Sequence, residues 1–416
     1  MTIKFSQIFQ LLFLFITVAS VRSSTNLNID SIIFWWTVDV FMILLLVLLK
    51  PLYFNKTNNN SVIWPIKLFT LWNIICIVLG VYIAEYYWDY KRLISTGLVL
   101  LLPLTIYVFT SKVFVQKLIS FWLKYGLPLF FIFLPFVIYS DFSGRYLVPV
   151  MFLLLVYPLL PFKWKLITLF FTMIVFISGL DARSNIVRFS VAIILGMLYY
   201  QRFLIRPWML KTVHALFLAL PIMLFFLATN NVFNVFKFDT YIEGEFNVAE
   251  TGQNQVSDLK ADTRTFIYIE SIKSAINNDY IFFGRTPARG YDSTHFGEHS
   301  LYELNTNRME RHSSEVAIIN IFTWTGITGV ILYFLVFFMA SSLAVYKSNS
   351  FFMKIIGLFV AFRWSYAFVE DFTMFDIQYV FIWLLIGICY SYEFRKMNDK
   401  EFKYWVIGIF KRRGNE

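Results

Sequence analysis

Cysteine is nearly absent from this chain, and the two that occur, Cys76 and Cys389, both lie inside apolar runs. A disulfide framework or a cysteine metal site in the polar parts is therefore excluded. Charge is scarce too: 15% of residues are charged, against 58% hydrophobic and 20% aromatic. Soluble domains carry about a quarter charged residues, so this composition excludes one. No Asp-x-Asp pair stands in an outward-facing link, and neither a glycine-rich phosphate loop, a nucleophile elbow nor an internal repeat of fixed period is visible. Divalent-metal, P-loop and elbow-type hydrolase chemistry thus lack sequence support. His295 and His299 do not form a metal set, because no cysteine accompanies them and Gly297 between them disfavours a helical pair.

What the chain has instead is apolar length. Windows of about 20 apolar residues, enough for a helix to cross a bilayer, recur about twelve times between Phe5 and Tyr392. The expected fold is all-α: a polytopic membrane protein with about twelve transmembrane helices and one large, partly helical external loop. The net charge of +10 comes mostly from alternate short links, with Lys50, Lys112, Lys163, Arg202, Lys211 and Lys347 on one side. The opposite links hold Asp30, Asp89, Asp141, Asp181 and the acidic pair Glu370 and Asp371. The positive-inside rule then places both termini in the cytoplasm and the long loop outside, and explains the basicity without a nucleic-acid partner. Residues 1–229 hold the first nine or so expected spans, 230–314 the loop, 315–394 the last three or so, and 395–416 a basic cytoplasmic tail. The first apolar segment, with Lys4 before it and Ala19 and Ser20 at its end, reads as a span or as a cleaved signal peptide.

The stretch from Asn230 to Ser314 is far longer than an ordinary connection. Inside it, Asp262 to Asn278 reads as an amphipathic helix, with Phe266, Ile269, Ile272 and Ile276 at helical spacing and Asp262 as its cap. Its far end, Arg308 to Glu315, brings two arginines, His312 and a carboxylate to the mouth of the next helix. The first amides of a helix are unsatisfied and, with the dipole, favour an anion. Guanidinium grips phosphate bidentately. Arg264, Arg285, Arg308 and Arg311 are accordingly candidates for holding an anionic substrate, with a solvated surface charge as the other reading of Arg264 and a solvated or structural role as that of Arg285 and Arg289. His312 would take a proton from an acceptor hydroxyl or, when charged, stabilise a leaving phosphate; the alternative is an interfacial or capping histidine. Glu315 would pair with His312 or with Arg311. Arg183 opens an apolar segment at headgroup depth, with a topological anchor or an ion pair to Asp181 as its other reading. Arg188, a little more than a turn further in, is an intramembrane charge and so invites a functional explanation.

On these residues the chain resembles the O-antigen ligase and O-antigen polymerase superfamily of bacterial membrane glycosyltransferases. Ser178 to Ser184 is similar to the family's Ser-Arg-Ser type helix opening. Asp262-Thr263-Arg264 with the helix after it and Phe283-Gly284 resembles the arginine-led helix ending in a glycine turn. Arg311-His312-Ser313-Ser314, then Asn320, Trp324-Thr325-Gly326 and Gly329, resembles the His-led opening of the next span with its paired glycines. One departure is that the arginine-x10-glycine pattern of some polymerases is not met, since the next glycine after Arg183 is Gly196.

The resemblance implies a GT-C-like frame and a metal-independent transfer, with no cofactor, at the outer face of the inner membrane. Arg183 and Arg264 would hold the pyrophosphate, and His312 would activate the acceptor hydroxyl. Arg308, Arg311, Arg285, Arg188 and Glu315 would be further substrate contacts. Implied partners are an undecaprenyl-diphosphate-linked oligosaccharide, a glycan or lipid A-core acceptor, the bilayer and a chain-length regulator. Polymerisation of repeat units is expected first, because two carrier-linked substrates would use many arginines, and ligation to lipid A-core second. A transporter of the lipid-linked unit is the reading from another class, with Asp39, Lys67, Lys124 and Arg363 as its intramembrane charges.

Overall fold

The computed structural model describes residues 2–26, 31–54, 61–178, 183–230, 232–234, 236–237, 247–249, 256–258, 264–304 and 306–411. Helix dominates them. Sheet is confined to two short antiparallel pairs: β1 (Asn247–Ala249) with β2 (Val256–Asp258), and β3 (Tyr291–Asp292) with β4 (Glu310–Arg311). Among the described residues, seven helical segments are long and apolar enough to cross a membrane: Phe5–Ser24, Ile32–Tyr53, Trp64–Ile83, Tyr87–Phe109, Lys112–Phe136, Pro207–Ala228 and Ala317–Tyr346. Other apolar windows form shorter helices, among them Phe162–Ser178, Arg183–Met197, Phe351–Tyr366 and Ile377–Tyr390. Leu44, Val47, Leu71, Ile132 and Ile331 stand exposed on this frame. So much outward apolar surface suits lipid rather than water, and the chain is an all-α, multi-pass membrane protein.

The middle of the bundle is the short helix Ile377–Tyr390, buried at every residue. A helix apolar on all sides belongs in such a place. Around it Phe69, Tyr333, Trp364, Tyr379 and Trp383 pack ring against ring. Between membrane helices, close packing of this kind supplies the cohesion that water supplies elsewhere.

The long helix Ala317–Tyr346 is broken at Gly326, whose φ of 69° and ψ of −175° no helix contains. Glycine takes that conformation without a Cβ penalty. A break at membrane depth frees backbone groups that need partners, and the long polar loop provides most of them. Arg285 N donates to Thr323 O at 2.7 Å, and Ile327 N donates to Ile281 O at 2.8 Å. Trp72 Nε1 donates to Thr325 O at 2.9 Å. Gly284, at φ 75°, makes the approach feasible, because a Cβ there would lie 2.5 Å from the amide nitrogens of Thr325 and Gly326. The loop is thus docked into a membrane helix, with Phe283-Gly284 and Trp324-Thr325-Gly326 in direct contact.

The loop helix, Thr265–Asn277, begins after Arg264, whose side chain does not cap the helix. Asp262, the expected cap, lies outside the described residues, as do Thr263, Asp181 and the His299 side chain. The helix is amphipathic, but its buried face is Ile267, Ser271, Ser274 and Ala275. Ile269, Ile272 and Ile276 are exposed. The small residues bring the helix close to its neighbours, and Ser274 Oγ is satisfied there by Tyr280 Oη at 2.7 Å and Asp292 N at 2.9 Å. Tyr268 Oη donates to Phe368 O at 2.6 Å and ties the helix to the turn after Phe351–Tyr366.

Candidate functional site

Where that turn, the start of the loop helix and the strand leading into Ala317–Tyr346 meet, they enclose a cavity of about 270 Å³. Arginines from three separate segments line it: Arg145 from the short helix Phe142–Tyr146, Arg264, and Arg311 from β4. Its carboxylates are Glu315, Glu370 and Asp371. Arg311 Nη2 lies 3.0 Å from Glu315 Oε1, and its guanidinium sits 4.0 Å over the Phe296 ring. Arg264 Nη2 stands 3.9 Å from Glu370 Oε2, at the outer limit of an ion pair. Arg145 Nε is held at 2.7 Å by Asp141 Oδ2.

Beneath the cavity lie two buried arginines. Gln378 lines the cavity, and its Oε1 accepts from Arg188 Nη1 at 2.7 Å, while Arg188 also donates to Asn185 Oδ1. Arg363 lies 4.4 Å under the ring of Phe372, another lining residue. Among the described residues no carboxylate is within ion-pair distance of Arg188 or Arg363. Cation excess is therefore concentrated below a cavity whose own arginines face carboxylates.

No family model matches the chain, no curated protein matches it, and no solved structure matches it. The reading of the site rests on its own chemistry.

Of the residues expected to act together, Arg264, Arg311 and Glu315 meet in the cavity, with Arg188 one hydrogen bond below. Arg183 is the exposed first residue of Arg183–Met197 and does not line the cavity. That helix start is tied to the same end of the molecule, since Tyr366 Oη donates to Ser184 O at 2.9 Å.

His312 does not line the cavity. It sits in the bend just after β4, where its Nε2 lies 2.9 Å from Pro287 O. A carbonyl only accepts, so Nε2 carries the hydrogen and donates. Burial, then the charge of Arg92, hold the imidazole down to about pKa 3. In this arrangement the imidazole is held in its neutral form near pH 7.

Arg285 and Arg308 belong to a separate ion-pair lattice. Arg285 Nη1 reaches Asp292 Oδ1 at 2.6 Å and Gly290 O at 3.0 Å, and its Nη2 is 3.4 Å from Glu310. Arg289 clasps the same Glu310. Arg308 Nη1 reaches Asp89 Oδ2 at 3.0 Å, and Arg308 also pairs with Glu85. These contacts pin the loop to the connection before Tyr87–Phe109. A second pin is Glu270, which accepts from Ser293 Oγ at 2.7 Å, Thr294 N at 2.9 Å and His295 Nδ1 at 2.7 Å. Burial alone would raise its pKa, but the bonds from His295, Ser293 and Thr294 prevail and lower it to about 2.

The start of Ala317–Tyr346 is not an open anion site. Ala317 N donates to Glu370 O at 3.2 Å, Ile318 N to Ala367 O at 2.9 Å, and Ile319 N and Asn320 N to Val316 O. The chain's own carbonyls occupy the amides that a bare helix end would offer.

The sequence reading singled out neither Arg145 nor the cavity face of Glu370 and Asp371, which it noted only as topological markers. Asp371 is fastened where it stands. Thr373 N and Oγ1 both donate to its Oδ1, at 2.8 and 2.6 Å, and Asn320 Nδ2 donates to that Thr373 Oγ1 at 3.3 Å. Burial nonetheless raises its pKa above the ordinary carboxylate range, against the pull of Thr373 and Asn320.

Proposed function

We propose that this chain is a membrane glycosyltransferase that moves a glycan from a polyprenyl-diphosphate carrier, undecaprenyl diphosphate in the resembled family, to an acceptor hydroxyl. Polymerisation of O-antigen or capsular repeat units is the form proposed, with ligation to lipid A-core as the second form the same cavity would serve. The observation that carries the reading is the convergence of Arg264 and Arg311 with carboxylates in a cavity where a polar loop meets apolar helices. A diphosphate at that depth would face two guanidinium groups, each able to make paired hydrogen bonds. Fixed cations of this kind stabilise the charge that grows on a departing diphosphate. In this reading the loop faces outward, the periplasmic side of a bacterial inner membrane, and both termini face the cytoplasm, as the alternation of basic links suggests.

The test is reconstitution of the purified protein in vesicles containing a polyprenyl-diphosphate-linked repeat unit. Lengthening of the lipid-linked glycan supports polymerase action, and transfer to added lipid A-core supports ligase action. Movement of the intact unit across the bilayer with no new glycosidic bond would replace the proposal with a transporter, for which the buried Asp39 and Arg363 would be the first residues to examine.

A further inference from the structure

Resting on that transfer, we propose that Asp371 accepts the proton of the attacking acceptor hydroxyl, the role that the sequence assigned to His312. Geometry separates the candidates. His312 is turned away from the cavity, with Nε2 donating to Pro287 O. Of the three lining carboxylates, Glu315 is bonded to Arg311 at 3.0 Å and Glu370 faces Arg264 at 3.9 Å. Among the described residues no arginine lies within ion-pair distance of Asp371. It is held instead by neutral donors, the amide and hydroxyl of Thr373, and Asn320 Nδ2 in turn donates to Thr373 Oγ1 at 3.3 Å.

That difference in partners decides basicity. A guanidinium beside a carboxylate favours the ionised form and weakens it as a base, whereas burial favours proton uptake. Asp371 combines burial with neutral anchors, so it is both aimed and receptive. Its anchors are themselves fixed: Asn320 is 1% exposed and Thr373 is 4% exposed. Asn320 also clasps Ser314, with Ser314 N donating to Oδ1 at 2.6 Å and Nδ2 donating to Ser314 O at 3.0 Å. The arrangement joins the base to the segment that follows Arg311 into Ala317–Tyr346.

The acceptor O–H proton passes to the Asp371 carboxylate while the oxygen lone pair forms a bond to the anomeric carbon. The bond from that carbon to the phosphate oxygen breaks, and its electron pair leaves with the carrier diphosphate, which Arg264 and Arg311 face.

The experiment compares the reconstituted parent with Asp371→Asn, Asp371→Glu, Thr373→Val and His312→Gln, measuring transfer and the binding of a fluorescent polyprenyl diphosphate separately. Asp371→Asn is expected to lower transfer about 100-fold or more while donor binding stays within about threefold. Asp371→Glu should recover part of the rate. Thr373→Val, which loses one anchor but keeps the carboxylate, should lower transfer about tenfold at unchanged donor binding, and it carries the test if Asp371→Asn does not fold. Asp371→Asn or a folded Thr373→Val within about threefold of the parent would overturn the inference while leaving the proposed function intact. Inactive His312→Gln beside active Asp371→Asn would return the role to the histidine. A parent with no transfer to any acceptor would overturn the function itself, a failure distinguishable from the others.

Discussion

Two groups of arginines occupy the same polar end of the molecule, and they differ in what faces them. In the lattice, Arg285 and Arg289 share Glu310, which is only 4% exposed, and Arg308 meets both Asp89 and Glu85. In the cavity, Arg311 pairs with Glu315 at 3.0 Å and Arg264 stands 3.9 Å from Glu370. The comparison teaches that an arginine count is a poor guide to a binding site. Guanidinium groups that share buried carboxylates hold a fold together, whereas those that line a cavity can exchange a carboxylate for a phosphate.

The largest effect should come from breaking the lattice. Glu310→Ala leaves two guanidinium groups around a buried position without their shared carboxylate, a loss on the order of 3–5 kcal/mol. Thermal unfolding in detergent should show a markedly lower midpoint, with activity falling only as folded protein is lost. A smaller effect follows from His312. Its folded pKa of about 3 lies below the unfolded value, so between roughly pH 6.5 and 3 the unfolded chain binds the extra proton. The stability it contributes is complete above that window and declines as pH falls through it. His312→Gln can keep a donor for Pro287 O and cannot titrate, so its unfolding midpoint should fall less steeply on acidification than that of the parent. Smallest is Glu270→Gln, which weakens the pin on Ser293 to His295 by on the order of 1 kcal/mol. Because the folded pKa of Glu270 is lowered to about 2, the pin should persist from neutral pH down past the ordinary carboxylate range. Faster amide exchange at Ser293, Thr294 and His295 in the variant, with little change elsewhere, is the expected readout.

The membrane character of the fold was legible because apolar length is local information: Val316 to Val345 reads as one span, and the helix is Ala317–Tyr346. Its break at Gly326 was marked only as a glycine in a resembled motif, since no local rule says that a turn 40 or so residues earlier supplies the missing hydrogen bonds. The loop helix was found by the spacing of its apolar residues, but that spacing does not mark the face it buries. Isoleucines dominate any hydrophobic pattern, while the buried face here is built from Ser271, Ser274 and Ala275, which pack by smallness. The anion-binding helix end was expected from a rule about bare helices, and the carbonyls of Glu370 and Ala367 were not visible as its partners. The cavity was the least legible part, because Arg145, Arg264, Arg311 and Asp371 come from four distant stretches that only tertiary structure joins.

The most direct test of the comparison is donor binding by folded variants from the two groups. Polyprenyl-diphosphate affinity would be measured for Arg264→Ala and Arg311→Ala against Arg285→Lys and Arg308→Lys, each checked by its unfolding midpoint. The account predicts a loss of about 10²-fold or more in donor affinity for each cavity variant, at a cost of under about 1 kcal/mol in stability. The lattice variants should lose stability and bind donor within about threefold of the parent once corrected for the folded fraction. Unchanged donor affinity in Arg264→Ala and Arg311→Ala, or its loss in well-folded lattice variants, would contradict it.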